Sequence, residues 1–173
     1  MKRVLKDACA IGILLIIIFL VFFLNNDVGI HQSKVEKDAR KSQKIAQSWE
    51  VAKDSSKSMV AMFYYDESLS QHIFSIYVNR NGFSFGYFFR GGGSIGTTMD
   101  DIIEFKVEGC KDSAYLSMNK HEVSEIKIEK GKDIETIEVD SNKPFAVVLP
   151  ARGCIITFYD INGNVIESLE YKL

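Results

Sequence analysis

The chain has 173 residues, a formal net charge of −2 and 46 % hydrophobic residues. Within it, residues 58–173 carry eleven basic and seventeen acidic side chains, and this acidic balance disfavours a nucleic-acid partner. These 116 residues are enough for one domain with its own core.

An apolar segment near the N-terminus predicts a transmembrane helix at residues 8–24. The segment has no charged side chain, and thirteen of its seventeen residues are Ile, Leu, Phe or Val. At about −0.3 to −0.6 kcal/mol per large apolar residue, insertion into a bilayer gains roughly 4–8 kcal/mol. At 1.5 Å per residue the segment reaches about 26 Å, which is adequate for one span. No small-x-small cleavage site follows it, so we expect a permanent anchor rather than a cleaved signal peptide.

The charges that flank this segment predict its orientation. Residues 1–7 contain Lys2, Arg3 and Lys6 against a single Asp7, which favours a cytoplasmic basic tail. The C-terminal part would then lie outside the cell membrane of a bacterium, with the lipid bilayer as its first partner. Basic residues between 34 and 44 weaken this prediction, although they alternate with acidic ones.

Residues 25–57 are predicted to form a charged helical stalk. Between 33 and 57 there are seven basic and four acidic residues and no glycine or proline. The apolar residues Val35, Ala39, Ala46 and Trp49 are spaced as one thin stripe. Such a helix either stands free and lifts the domain by about 36 Å, or rests on the domain edge or on anionic headgroups.

Residues 58–173 are predicted to form an extracytoplasmic all-β domain. Strand-like pieces recur every eight to twelve residues with turn residues between them, which favours an antiparallel β-sandwich or a partly open barrel of about 8–10 strands. The predicted strands are 59–65, 72–79, 83–90, 102–108, 113–119, 123–130, 133–139, 145–149, 155–159 and 165–171.

Two turns predict hairpins. A two-residue turn at Asn81-Gly82 pairs Val78 with Phe85 and places apolar residues opposite each other. The sequence Asp160-Ile-Asn-Gly163 fits either a type I turn, which pairs Phe158 with Ile166, or a tighter turn, which pairs Ile156 with Leu169.

No catalytic, cofactor or metal motif survives a check of its context. Ser84 stands in a Gly-x-Ser-x-Gly pattern, but inside a predicted strand rather than before a helix. The glycines of residues 91–96 lack the lysine of a phosphate-binding loop. Asp160 begins a calcium-like run that lacks the twelfth-position glutamate, and the three histidines are too dispersed for zinc. We therefore predict no cofactor and no enzymatic activity.

Two sets of residues are candidates for other roles. The stretch Arg90, Gly91, Gly92, Gly93 and Ser94 allows a partner to approach the backbone closely, so it is a candidate interaction surface. Cys110 and Cys154 either form a disulfide or remain two thiols; a bond would close a loop of about 45 residues and stabilise the fold by roughly 4 kcal/mol.

Three functional hypotheses follow. The first is a non-enzymatic binding or assembly component of the bacterial envelope that binds another envelope protein or a wall polymer. The second is a filament subunit, because an apolar helix, a charged helix and a sheet resemble the layout of type IV pilins, although 8–24 lacks their glutamate. The third is an extracytoplasmic hydrolase that uses carboxylates, the candidates for which are Asp66, Glu67, Asp100, Asp101 and Glu104.

Overall fold

The structure is a computed structural model that describes residues 2–24, 28–80, 85–95 and 102–173. Within residues 2–24, the side chains it describes are those of Cys9 and residues 11–21. The described residues form two helices and twelve strands. The helices are α1 (Lys2–Leu24) and α2 (Gln32–Ser42). The strands are β1 (Glu50–Ser55), β2 (Met59–Tyr65), β3 (His72–Asn79), β4 (Tyr87–Gly93), β5 (Ile102–Lys106), β6 (Asp112–Ser117), β7 (Val123–Lys130), β8 (Asp133–Glu138), β9 (Phe145–Pro150), β10 (Ile155–Asp160), β11 (Val165–Ile166) and β12 (Ser168–Lys172).

The strands form three four-stranded sheets that stack as layers. The first sheet has the order β1-β2-β3-β4, the central sheet β12-β5-β6-β9, and the third sheet β11-β10-β7-β8. All pairings are antiparallel except that of β12 with β5, which is parallel. The all-β domain is therefore confirmed, and three stacked sheets replace the predicted sandwich or open barrel.

Three apolar clusters hold the layers together. The first and central sheets enclose one cluster that includes Phe63, Phe74 and Phe105, and the last two rings stack with centroids 4.5 Å apart. The central and third sheets enclose a second cluster around Tyr115 and Phe158. Helix α2 covers the other face of the first sheet. The central sheet therefore has buried residues on both faces of β5, β6 and β9, whereas its edge strand β12 is exposed.

Of the alternatives for the charged helix at 25–57, the structure shows the one in which the helix rests on the domain, and the helix is shorter than predicted. Helix α2 has only eleven residues and packs Val35 (1 % exposed) and Ala39 (0 %) against Tyr64 and Tyr77 of the first sheet. The Tyr77 hydroxyl donates a hydrogen bond of 2.7 Å to Asp38. After α2 the chain turns and enters β1. This strand was not predicted, because its charged residues suggested a helix. Of the predicted apolar stripe, Val35 and Ala39 lie on α2 and pack against the sheet, whereas Ala46 lies beyond the helix and is exposed.

Helix α1 contains the whole of the predicted segment 8–24. Over the part of the chain that the structure describes, neither helix is both long enough and apolar enough to cross a membrane. The helical conformation of 8–24 is therefore confirmed, and a membrane span stays a prediction.

The hairpin predicted around Asn81-Gly82 has a different register, and residues 81–84 themselves lie outside the described part. The structure pairs Val78 with Phe88 and Asn79 with Tyr87, and a bulge lies between Ile76 and Tyr77. The predicted pairing of Val78 with Phe85 fails because residues 28–30 cross the chain there: Gly29 donates to the Phe85 carbonyl (2.5 Å) and Ile30 exchanges two hydrogen bonds with Tyr87 (2.8 Å each). Gly86, at φ +87°, lies against this crossing segment.

The second hairpin has the longer of its two predicted turns. Phe158 pairs with Ile166, and Asp160 accepts hydrogen bonds from the backbone N–H groups of Asn162 and Asn164. Pro144 precedes β9 as expected, and Pro150 is the last residue of that strand. Of the ten predicted strands, the last is divided, since residues 165–171 form β11 and β12 on different sheets.

Candidate functional site

An open cleft of about 510 Å³ lies at one end of the central sheet. It is formed by the loop between β5 and β6, by the loop between β9 and β10, and by the end of β12. Its lining residues are Lys106, Val107, Glu108, Gly109, Cys110, Asp112, Ser113, Ala151, Arg152, Lys172 and Leu173. We call this the entry-end cleft, because the chain enters the β domain at the same end.

Hydrogen bonds fix the two loops that form the cleft. Ala151 donates its backbone N–H to the Lys111 carbonyl (2.9 Å), so the two loops move as one. On the opposite face the Asp112 carboxylate accepts hydrogen bonds from the hydroxyls of Ser56 and Ser58. The Cys110 thiol is also in contact with Ser58, at 3.4 Å from its Oγ. The residues that form this side of the cleft therefore contact the turn between β1 and β2.

That turn links the cleft to the point where the chain enters from α1. Tyr87, which pairs with Ile30, donates its hydroxyl proton to the Ser56 carbonyl (2.8 Å). Gln32, the first residue of α2, donates to the Ser55 hydroxyl (2.8 Å). The cleft and the segment that contains Ile30 and Gln32 thus lie at the same end of the domain.

One row across the central sheet places three residues of the cleft side by side. Lys172 pairs with Lys106, and Lys106 pairs with Ser113. Lys106 donates to Glu170 at 2.7 Å and lies 3.4 Å from Glu104. The hydrogen bond that Lys106 donates to Glu170 is the main cause that raises the pKa of Lys106, so this lysine keeps its positive charge. In this wall of the cleft Lys106 is therefore held in ion pairs with two glutamates, and Lys172 lies beside it.

Ser113 is the unusual member of this row. Its side chain is fully buried, and its hydroxyl has no hydrogen-bond partner among the described residues. A buried hydroxyl left without a partner costs about 1–3 kcal/mol. Because Ser113 also lines the cleft, a bound group that reaches it would recover this cost.

A smaller cavity of about 140 Å³ continues from the same loop. It is lined by residues 107–110 together with Val78, Asn79, Arg80 and Arg90. The Arg80 guanidinium stacks over the ring of Phe88, 4.0 Å from its centroid. Lys111 and Arg152 line a third, open cavity against Gly109 and Cys110. Each of the three cavities beside the loop between β5 and β6 is thus lined by basic side chains.

A separate cleft of about 310 Å³ lies between α2 and the first sheet. Its charged groups are already paired: Lys53 donates to Glu36 at 2.7 Å, and Asp54 accepts from the backbone N–H of Val148 at 2.8 Å. The hydrogen bond from Lys53 is the main reason why the pKa of Glu36 is lowered. These contacts hold α2 and the central sheet to β1, which is a structural role.

The carboxylates proposed for a hydrolase do not converge in the described structure. Asp66 forms the turn after β2 and accepts hydrogen bonds from Ser68, Ser70 and Gln71. These bonds, with that from Gln71 first, lower the pKa of Asp66 to about 2, which is unsuitable for a general acid.

Glu104 lies in β5 of the central sheet, far from Asp66 along the chain. Its contacts are with other residues than those of Asp66. It accepts a hydrogen bond of 2.8 Å from the Tyr115 hydroxyl and pairs with Lys106. Glu67 is exposed in the turn beside Asp66. Asp100, Asp101 and Ser84 lie outside the described residues. Among the described residues, no three Asp, Glu, His or Cys side chains are grouped as a metal site requires.

The glycine stretch from Gly91 to Gly93 forms the end of β4, with Arg90 before it and Ser94 after it. A Cβ atom at Gly92 would lie 2.7 Å from the Gln43 amide nitrogen and 2.7 Å from the Phe74 carbonyl oxygen. Gln43 crosses the strand here to donate to the Ser75 hydroxyl. At Gly91 the neighbour is the side chain of Leu173, at 3.0 Å. The close approach that these glycines permit is made by the chain itself.

Cys110 and Cys154 are both free cysteines in the structure. The Cys110 thiol contacts Ser58, and the Cys154 thiol donates to the Pro150 carbonyl at 3.1 Å. The structure thus gives the two sulfur atoms separate partners, and a disulfide between them stays a prediction.

No protein-family model, curated protein or solved structure matches the chain.

Sequence reasoning missed the entry-end cleft. Its residues come from segments that are far apart in the sequence, such as Lys106, Arg152 and Lys172, and only the sheet order brings them together. A usable signal was present: within an acidic domain, all three arginines stand next to predicted turns or glycines.

Proposed function

We propose that this protein is a membrane-anchored, non-enzymatic binding component of a bacterial cell envelope. Helix α1 is its single transmembrane anchor, residues 1–7 face the cytoplasm, and the β domain lies outside the membrane. In this role the β domain binds another envelope component, either a protein or a wall polymer.

The exposed apolar surface of α1 is the observation that carries the proposal. Ten large apolar side chains between Ile11 and Val21 are 43–61 % exposed, and they point to all sides of the helix. A helix that is apolar all round needs a wholly apolar environment. Among the described contacts, no apolar cluster of the β domain includes any of these residues. A lipid bilayer supplies the apolar environment that the β domain does not provide for these side chains.

The lack of an assembled catalytic group in the described part supports the non-enzymatic role. Asp66 and Glu104, the described members of the proposed carboxylate set with side-chain hydrogen bonds, are each engaged in local structure. The entry-end cleft instead presents lysines and arginines, which suit the binding of an anionic group.

The experiment compares two double variants of the full chain expressed in bacteria. Ile13→Lys with Ile17→Lys places two charges in α1, at a cost of about 2.5–3.5 kcal/mol each in a bilayer centre. Ile134→Lys with Ile155→Lys makes the same chemical change at two exposed positions of the third sheet, 63 % and 65 % exposed.

We expect the wild-type chain and the Ile134/Ile155 variant to stay in the membrane pellet after alkaline carbonate extraction. The Ile13/Ile17 variant is expected in the soluble fraction. Release of the wild-type chain by carbonate would overturn the proposal, as would full retention of the Ile13/Ile17 variant.

A further inference from the structure

The basic residues of the β domain are concentrated at the entry end. Residues 58–173 contain eleven lysines and arginines. Six of them line the three cavities around the loop between β5 and β6, where the acidic lining side chains are Glu108 and Asp112. The six are Arg80, Arg90, Lys106, Lys111, Arg152 and Lys172. A domain that is acidic as a whole therefore has one cationic end.

Not all of this charge is equally available to a ligand. Lys106 is held by Glu170 and Glu104, and Asp112 is engaged by two serine hydroxyls on the other face. Lys172 lies 3.7 Å from Glu170 and its side chain is 84 % exposed, so it can turn toward the cleft. Arg152 is exposed on the opposite loop. Arg152 and Lys172 thus both line the cleft with exposed side chains, and Lys106 lies beside Lys172 in the same row.

We propose that the entry-end cleft binds an anionic phosphoryl group. Arg152 and Lys172 bind its oxygens from the two sides, Lys106 contributes a fixed positive charge, and the Ser113 hydroxyl donates a hydrogen bond from the floor. Arginine recognises such groups through paired N–H donors. The site gives the buried Ser113 hydroxyl the partner that the described residues do not supply.

The position of the cleft indicates the source of this group, and this step depends on the proposed membrane anchor. Leu24 ends α1, and only three residues separate it from Val28. A fully extended chain of that length reaches about 14 Å. Since Ile30 pairs with Tyr87 and Tyr87 contacts the turn beneath the cleft, the cationic end faces the membrane surface. Anionic lipid headgroups attract basic residues there by about 1 kcal/mol each. We infer that the phosphate of a lipid headgroup occupies the cleft.

The test has two arms that distinguish the two sources of phosphate. In the soluble arm, sn-glycerol 3-phosphate is titrated into the full chain in neutral detergent micelles. In the lipid arm, the full chain is placed in nanodiscs of phosphatidylcholine with or without phosphatidylglycerol. Both arms measure the amide NMR shifts of Cys110, Ser113 and Arg152. We expect the same amides to shift in both arms.

Three variants separate the cleft from a general charge effect. Arg152→Gln with Lys172→Gln should weaken the apparent affinity for glycerol phosphate by roughly tenfold or more, because two charge-assisted hydrogen bonds are lost. Lys143→Gln, in an exposed turn whose lysine pairs with Asp140, should change it less than about twofold. Ser113→Ala should weaken binding by about threefold to tenfold without lowering the melting temperature, since the hydroxyl has no partner to lose.

Absence of shifts in both arms would overturn the site, as would an unchanged affinity in the Arg152/Lys172 variant. Shifts with glycerol phosphate alone would support the phosphoryl site and overturn a lipid as its source. The soluble arm needs no bilayer, so a chain that fails to insert into nanodiscs would contradict the anchor while this arm still tests the cleft.

Discussion

Gly86 shows how one residue determines the path of the chain into the β domain. Its φ of +87° is in the left-handed region, and a Cβ atom there would lie 2.8 Å from the Ile30 carbonyl oxygen. Gly131 has a similar φ of +64°, with no atom within 4 Å of its Cβ position. The two glycines therefore separate backbone strain from steric overlap.

We expect Gly131→Ala to lower the free energy of unfolding by about 1–2 kcal/mol, which is the cost of the left-handed region. Gly86→Ala should lower it by about 2–4 kcal/mol, because strain and overlap add. Urea unfolding of the full chain in detergent micelles measures both values. Equal losses would show that residues 28–30 do not press against Gly86.

Asp66 provides a test by pH. The backbone hydrogen bond from Gln71 and the bonds from Ser68 and Ser70 favour its ionised form, so its pKa falls from 3.8 to about 2. The contribution of Asp66 to stability is therefore fully present above pH 3.8, and it is lost as the pH falls toward 2. An NMR titration of its side-chain carboxyl should give a midpoint near 2. A midpoint above 3.8 would contradict the turn geometry and would revive Asp66 as a general acid.

At the scale of elements, helix α2 is a packed part of the domain. Ala39 is fully buried against the first sheet, and Lys37 is exposed on the same helix. Ala39→Glu should lower the free energy of unfolding by about 3–5 kcal/mol, the cost of an unpaired buried charge. Lys37→Glu makes a larger change of charge on the solvent side and should stay within about 0.5 kcal/mol. If both variants unfolded alike, α2 would be the free stalk that the charge pattern suggests.

The sequence predicts strands well where alternation and turn residues coincide. β2, β3 and β7 have the bounds expected from their apolar patterns, and β9 begins after Pro144 and ends at Pro150. β1 was missed because Lys53, Asp54 and its other polar residues carry no strand pattern, although its pairing with β2 makes it part of the first sheet.

The long-range arrangement could not be read from local patterns. The register of β3 with β4 depends on residues 28–30, which come from a distant part of the chain. The entry-end cleft has the same origin, because Lys106 and Ser113 become neighbours only through the pairing of β5 with β6. The charge of the site can be read from its residue types in the sequence. The place where these residues meet depends on the order of the strands in the sheet.

At the scale of the whole molecule, the β domain has basic side chains around the entry-end cleft and acidic turns at its far end, and we propose that the cationic end is tethered toward a membrane. Asp66 and Asp160 form turns away from the entry end, whereas Arg152 and Lys172 line the cleft there. This separation of charge between the two ends matters for membrane binding only if α1 holds the domain in a fixed orientation outside the bilayer.

Topology is therefore the most direct test of the central claim. In a chain whose three cysteines are replaced by alanine, Asn142→Cys places one thiol in an exposed turn of the β domain. Lys6→Cys places one on the side of the predicted cytoplasmic tail. A membrane-impermeant maleimide applied to intact bacterial spheroplasts should label Asn142→Cys at once and Lys6→Cys only after lysis. Labelling of Asn142→Cys only after lysis would contradict the account.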